Sequence, residues 1–135
     1  HDALPILSNM RASSTAKVIA VFGACGDRDR GKRPLMGEIV SSHADIIILT
    51  NEDPYTEDPE RIIREIQTGI ANKLLGENLF VIMDRKKAIA QAISLATAGD
   101  IIAVTGKGAE ETMAIGDRRV PWNDRKVIED VLRGK

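Results

Sequence analysis

Charged side chains and glycines are concentrated in the segment VFGACGDRDRGKRP, which spans residues 21–34. An apolar run leads into a turn that holds three glycines and four cationic residues, Arg28, Arg30, Lys32 and Arg33. Glycines let a backbone approach a ligand closely, and cations attract phosphates and carboxylates. The residue types therefore indicate an anion site, although a charged surface turn with local Asp–Arg pairs explains them equally well.

Two nucleotide-binding motifs are absent from this segment. Arg33 follows Lys32 where the P-loop motif GxxxxGK[ST] needs a serine or threonine. Gly23, Gly26 and Gly31 do not have the spacing of the dinucleotide motif GxGxxG. The sequence therefore disfavours a nicotinamide- or flavin-dependent oxidoreductase.

Two further segments combine polar side chains with glycine or proline. TNEDPYTEDPER (50–61) is rich in carboxylates and favours a solvated acidic turn, the alternative being a pocket wall that recognises a substrate amine. No histidine accompanies it, which argues against a metal site. TGKGAEE (105–111) is either a glycine-rich connection or a site where backbone N–H groups bind a carboxylate and a glutamate binds an ammonium group.

Three other residues receive structural assignments. Cys25 is the only cysteine, which excludes an internal disulfide, and it has no histidine near it in sequence. We expect it to fill a tight loop rather than to act as a nucleophile. His43 is predicted to be a cap or surface residue, and Trp122 to pack a hairpin against the last helix.

The three segments follow strand-like runs, which tells us what positions them. Short apolar runs occupy residues 17–23, 45–50, 78–83 and 100–106, and helical patterns occupy 34–43, 58–75 and 84–99. Asp58 before Pro59 predicts a helix start, and Gly99 predicts a helix stop. Ligands collect where parallel strands end, so we expect the three loops to form one site.

The end of the chain has a different pattern. Residues 112–122 predict a hairpin turning at Gly116-Asp117, and residues 123–135 a closing helix capped by Asn123 or Asp124. The predicted fold class is α/β, a Rossmann-like, doubly wound and mainly parallel sheet with a C-terminal β-hairpin and a closing helix.

Composition limits the class of protein. The chain has 135 residues, 43% of them hydrophobic, with 19 basic and 20 acidic side chains. This fits one domain and argues against nucleic-acid or membrane partners recruited by bulk charge. A single cysteine and the lack of a signal or membrane-length apolar run predict a cytoplasmic protein. The opening HDALPILSNMRASS, without an initiator Met, indicates a fragment of a longer protein.

Taken together, VFGACGDRDRGKRPLMGEI, TNEDPYTEDP, TGKGAEE and NDRKV resemble the C-terminal domain of Mur ligases in order and separation. The likeness is closest to the UDP-N-acetylmuramoyl-tripeptide synthetases, which add the third residue of the peptidoglycan stem peptide. It covers essentially the whole chain, residues 1–135. Even the opening DAL is similar to the end of a family segment, Y-A-H-T-P-D-A-L.

The resemblance implies a part of an ATP-dependent amide ligase of cell-wall synthesis. In that family ATP phosphorylates a UDP-muramoyl-peptide carboxylate, and an amino acid attacks the acyl phosphate. The UDP-binding and central ATPase domains, the latter holding ATP and Mg²⁺, would be absent from this chain. The fragment alone is then expected to be inactive. Its partners would be UDP-N-acetylmuramoyl-dipeptide, a free amino acid and the ligase's other domains.

The resemblance implies roles for the residues of this chain that match the site positions of the family motifs. Arg28 matches the arginine that holds the incoming amino acid's carboxylate, and Lys32 would approach ATP phosphate as the catalytic cation. Gly106 and Glu110 match amino-acid contacts of the family's G-K-G-H-E, in which Ala109 replaces the histidine.

The acceptor, which is the amino acid that receives the acyl group, is predicted from a second departure from the family pattern. Diaminopimelate-adding members read D-N-P-R where this chain reads E-D-P-Y, so Asp53 and Tyr55 replace Asn and Arg. The loss of the arginine and the gain of acidic charge predict L-lysine or another diamino acid. A stand-alone small-ligand binding module and a paralogous ligase with another acceptor are the alternatives.

Overall fold

The computed structural model describes residues 16–107 and 110–134. The opening HDALPILSNMRASS with its DAL, and also Gly108 and Ala109, lie outside the described residues. Within the described ranges, every helix is too short or too polar to cross a lipid bilayer.

Four parallel strands form the main sheet, as the apolar runs predicted. They are β1 (Val18–Phe22), β2 (Ile46–Leu49), β3 (Leu79–Val81) and β4 (Ile101–Val104), in the order β3-β2-β1-β4. The central strand β1 is buried along its whole length, and its register aligns Phe22 with Leu49 and Val21 with Val104. The carboxyl ends of β1, β2 and β4 therefore meet at one edge of the sheet.

Helices cover both faces of this sheet. They are α1 (Lys32–His43), α2 (Pro59–Gln67), α3 (Arg85–Leu95) and α4 (Asp124–Leu132). Alternate side chains of β1 point to opposite faces: Phe22 packs with a cluster that includes residues of α1 and α2, and Val21 with one that includes residues of α3. The doubly wound α/β fold is confirmed.

The helix boundaries confirm one predicted signal and correct another. The Asp58 side chain accepts a hydrogen bond from the Glu60 N–H at 3.0 Å, with Pro59 as the first helical residue. Gly99 does not end a helix, because α3 stops at Leu95. Gly99 instead provides a positive φ of 92° in the turn before β4.

Two helix lengths also differ from the sequence prediction. Helix α1 begins at Lys32, two residues before the predicted start, so that Lys32 and Arg33 belong to its first turn. Helix α2 ends at Gln67, earlier than predicted. Just beyond it, Gly69 passes so close to α1 that a Cβ would lie 1.8 Å from the Pro34 carbonyl oxygen, so an ordinary side chain could not occupy position 69.

The C-terminal part follows the prediction. Strands β5 (Thr112–Ile115) and β6 (Arg118–Pro121) form an antiparallel hairpin, with Gly116 in the turn at a φ of 62°. The Asn123 side chain caps α4 by accepting from the Lys126 N–H at 2.9 Å. The indole N–H of Trp122 donates to Asp124 at 2.6 Å, which joins the end of the hairpin to the closing helix.

Candidate functional site

Three loops lie at the carboxyl edge of the sheet. The first loop (residues 23–31) follows β1, the second loop (residues 50–58) follows β2, and the third loop (residues 105–111) follows β4. Residues 105–107 and 110–111 of the third loop are described. The prediction that the three loops come together is confirmed by the contacts between them.

Glycines bring the first loop directly against the second. A Cβ on Gly23 would lie 2.1 Å from the Thr50 carbonyl oxygen, and one on Gly26 would lie 1.8 Å from that of Pro54. The Gly26 N–H also donates to the Asp53 carbonyl at 2.9 Å. The first loop therefore needs these glycines for contact with its neighbour, in addition to any approach to a ligand.

A buried arginine joins the second loop to the third. Arg85, the first residue of α3, donates to the carbonyl oxygens of Asn51 at 2.9 Å and Thr105 at 3.0 Å. Its guanidinium also makes two hydrogen bonds with Asp124 of α4. One side chain thus fixes the positions of two loops and a helix.

A second buried cation lies between the same two loops. The Lys107 ammonium donates to both carboxylate oxygens of Asp53 at 2.8 Å and to Glu110 at 2.6 Å. Burial disfavours the ammonium form, but the two carboxylates outweigh it and raise the pKa of Lys107. Asp53 was expected to favour a cationic end of a substrate, but its charge is paired within the chain.

Glu52 lies where all three loops meet. Its carboxylate accepts a hydrogen bond from the Cys25 thiol at 3.2 Å, and a Cβ on Gly106 would lie 1.9 Å from it. Burial raises the pKa of Glu52, although the Cys25 hydrogen bond and the charges of Arg85 and Lys107 oppose this. The positive φ of 106° at Gly106 and the space it leaves for Glu52 both require glycine.

The acidic second loop is not the solvated turn that its composition favoured. Glu57 is 7% exposed and binds the buried guanidinium of Arg33. Hydrogen bonds from Arg33, the first among several, hold the pKa of Glu57 well below its usual range. Arg33 also binds Glu65, and so does Arg30. Two of the four cations of the first segment are therefore used in holding the fold together.

The other two cations point to solvent. Arg28 and Lys32 are exposed, and no hydrogen-bond acceptor or ion-pair partner of either side chain lies within the described ranges 16–107 and 110–134. The Arg28 charge reaches into the site, since it lowers the pKa of the Cys25 thiol against the larger effects of burial and Glu52. These two cations remain available to an anion.

Tyr55 is fixed by its backbone to the hairpin. Its N–H donates to the Ala114 carbonyl at 3.2 Å, and its carbonyl accepts from the Gly116 N–H at 2.6 Å. Tyr55 has a φ of 52°, Asp53 a φ of 38°, and Asp27 of the first loop a φ of 55°. Positive φ is costly for residues other than glycine, and such strain gathers at functional sites.

The structure brings most of the predicted site residues to this edge. Asp53, Gly106 and Glu110 are joined through Lys107 and Glu52, while Arg28 lies in the exposed part of the first loop and Lys32 in the first turn of α1. The described residues contain no cluster of three or more His, Cys, Asp or Glu side chains that suits a metal ion.

Sequence reasoning missed two residues that organise the site. Lys107 stands between two glycines in TGKGAEE, and its burial among carboxylates has no local signal in the sequence. Arg85 was missed entirely, because it follows a helix cap and looks like an ordinary first-turn residue.

A family model described as "Mur ligase, glutamate ligase domain" matches residues 2–108. A UDP-N-acetylmuramoyl-L-alanyl-D-glutamate--2,6-diaminopimelate ligase of Aquifex aeolicus is 43% identical over 129 residues, covering 96% of this chain and 26% of that protein. A UDP-N-acetylmuramyl-tripeptide synthetase of Borreliella afzelii is 44% identical over 119 residues, covering 88% of this chain and 24% of that protein.

The fold comparison points the same way. A solved structure of a UDP-N-acetylmuramoyl-L-alanyl-D-glutamate--2,6-diaminopimelate ligase matches with a TM-score of 0.89 and 37% identity, over 98% of this chain and 27% of that one. The chain thus spans about a quarter of the length of the relatives it matches.

Proposed function

Because the chain belongs to the Mur ligase family, as its glutamate ligase domain, we propose that it is the amino-acid-binding domain of an ATP-dependent amide ligase. The ligase would join an amino acid to UDP-N-acetylmuramoyl-dipeptide in peptidoglycan synthesis in the cytoplasm. One observation carries the proposal: at an edge where most cations are paired, Arg28 and Lys32 are left for anions, and Glu110 keeps a largely exposed carboxylate in addition to its bond to Lys107.

An amino acid offers the complementary groups. Its carboxylate would bind the exposed guanidinium of Arg28, which suits a planar two-oxygen partner. Its ammonium would bind Glu110, whose side chain is 57% exposed. A carboxylate that holds the ammonium directs the nitrogen toward the reacting carbon, which is the main contribution a binding domain makes to such a reaction.

Lys32 suits a phosphate rather than the amino acid. It is exposed and stands in the first turn of α1, where the partial positive charge of the helix adds to its own. ATP supplies the activation of the muramoyl-peptide carboxylate when it is bound, and Lys32 would offset phosphate charge as the domains close. We assign Mg²⁺ and most of the ATP site to the ligase's other domains.

The acceptor that we propose is L-lysine or another diamino acid without a distal carboxylate. Arg30, Arg33, Arg85 and Lys107 are paired within the chain, and position 55 carries a tyrosine. After Arg28 binds the α-carboxylate and Lys32 a phosphate, these loops offer no third cation. Glu52, rather than Asp53, is the acidic group of the second loop that favours a cationic side chain.

The experiment is phosphate release by the full-length protein that contains this chain. It receives ATP, Mg²⁺ and UDP-N-acetylmuramoyl-dipeptide with lysine, ornithine, meso-diaminopimelate or a neutral amino acid. We expect release with a diamino acid, and a loss of about 100-fold in kcat/KM in Arg28→Ala.

Arg30→Ala is the matched control, since Arg30 lies two residues away but is paired with Glu65. We expect its kcat/KM to stay within about twofold of the wild type. If the folded protein releases no phosphate with any of these amino acids, the ligase assignment is overturned, and a binding module or another acceptor is favoured. Release with meso-diaminopimelate alone would overturn the assigned acceptor.

A further inference from the structure

Lys107 is a lysine whose charge is closed off from solvent. Its side chain is 0% exposed, and the three donors of its ammonium group serve Asp53 Oδ1, Asp53 Oδ2 and Glu110 Oε1. A lysine that binds a ligand anion would present its ammonium, as Lys32 does. Lys107 therefore acts on the site through the two carboxylates that it holds.

The Asp53 end of this arrangement is immobile. Asp53 Oδ1 also accepts the Ala114 N–H at 2.7 Å, and the Asp53 carbonyl accepts the Gly26 N–H at 2.9 Å. The residue is 6% exposed. Lys107 is thus anchored to a point that the first loop, the second loop and the hairpin share.

The Glu110 end is different. Its side chain is 57% exposed, and within the described residues the hydrogen bond from Lys107 is the only one that its carboxylate makes. Its N–H donates to the Lys107 carbonyl at 3.0 Å. Without Lys107, an exposed glutamate would sample several rotamers, and binding a ligand would cost the entropy of selecting one.

We infer that Lys107 is a positioning residue that holds Glu110 ready to bind the ammonium group of the incoming amino acid. The inference rests on the proposed ligase function and adds a role for a side chain that never contacts the substrate. Because Lys107 is bonded to the fixed Asp53 carboxylate, it restrains the position of the Glu110 carboxylate. Because one lysine is shared between two carboxylates, the group keeps a net negative charge, which attracts an ammonium.

The test is the steady-state kinetics of the full-length protein with Lys107→Gln, which keeps a donor on a side chain one bond shorter and removes the charge. We expect the KM for the amino acid to rise about tenfold and the KM for ATP to stay within about twofold. Lys86→Gln is the control, because Lys86 is exposed on the neighbouring helix α3. We expect both KM values of that variant to match the wild type.

A double-mutant cycle separates positioning from general damage. If Lys107 acts through Glu110, then Lys107→Gln should change the amino-acid KM by less than about twofold in a Glu110→Ala background. If the fold-changes in KM of the two single variants instead multiply in the double variant, the inference is overturned. If Lys107→Gln does not fold, the pair Lys107→Gln with Asp53→Asn removes both buried charges together and should show the same rise in KM.

The outcomes distinguish this inference from the function on which it rests. A wild-type protein that releases no phosphate with any amino acid would overturn both. Wild-type turnover, with an amino-acid KM unchanged in Lys107→Gln or with both KM values raised alike, would overturn the positioning role and leave the ligase standing.

Discussion

Two parallel hydrogen bonds of 2.9 Å join the guanidinium of Arg85 to the carboxylate of Asp124, and both side chains are buried. Two further donors of Arg85 bind the carbonyls of Asn51 and Thr105. The pair therefore links the closing helix to the second and third loops at the carboxyl edge of the sheet.

Arg85→Met should destabilise the chain strongly, because it leaves the Asp124 carboxylate buried without its partner. We expect a loss of about 3–5 kcal/mol in the free energy of unfolding, measured by urea denaturation. Lys86→Met, at the exposed neighbour, should change it by less than about 0.5 kcal/mol. A loss below about 1 kcal/mol in Arg85→Met would show that Asp124 finds water or another donor.

Gly26→Ala should disrupt the contact between the first and second loops. The added Cβ would lie 1.8 Å from the Pro54 carbonyl oxygen, which is backbone and cannot turn away. We expect a loss of about 1–3 kcal/mol in the free energy of unfolding, by urea denaturation. Gly31→Ala is the control in the same loop, where the nearest atom is a side-chain oxygen of Asp29 at 3.3 Å. Equal losses in the two variants would contradict the contact.

The single cysteine should be unreactive in the native chain. Burial, followed by the charge and hydrogen bond of Glu52, raises the pKa of Cys25 to about 12. Since the thiolate is the reactive form, alkylation by iodoacetamide at pH 8 should be over about 100-fold slower than in urea. Glu52→Gln should speed it only in part, because burial is the larger cause. A native rate equal to the unfolded rate would refute this.

Acid should weaken the fold partly through Asp100. Hydrogen bonds from the backbone N–H groups of Thr97 and Lys17 lower the pKa of Asp100 to about 2, from an ordinary value of 3.8. The unfolded chain then binds more protons between these values, so the contribution of Asp100 is complete above about pH 4 and is lost as the pH falls toward 2. Above about pH 4, we expect the Tm of Asp100→Asn to lie below that of the wild type, and the difference in Tm to shrink as the pH falls toward 2. A difference in Tm that does not change with pH would contradict this prediction.

The sheet and its loops were predictable because parallel strands leave a strong local signal. Runs such as the one ending at Phe22 are apolar on both faces, and the strand order then brings their ends together without further information. The start at Pro59 was equally local, since a cap and a proline suffice.

The pairing of charges was not predictable, because it depends on partners far apart in the chain. Asp53 and Lys107 are 54 positions apart, and Arg33 and Glu57 are 24 apart. Composition alone made the second loop look solvated, and it left the first loop as either an anion site or a turn with local Asp–Arg pairs. The resemblance selected Arg28 and Lys32, and the structure adds that their side chains are exposed whereas that of Arg33 is buried and paired with Glu57.

Tyr55→Arg should move the acceptor preference of the full-length ligase toward a diamino acid with a distal carboxylate. Tyr55 already holds a φ of 52° through backbone hydrogen bonds to the hairpin, so a new side chain enters without a change of fold. An arginine there can bind a carboxylate through two parallel hydrogen bonds, which tyrosine cannot. We expect the ratio of kcat/KM for meso-diaminopimelate to that for lysine to rise at least about tenfold, measured by phosphate release. Tyr55→Lys, which adds charge without the planar fork, should give a smaller rise. A ratio that stays constant in both variants would remove position 55 from the determinants of the acceptor.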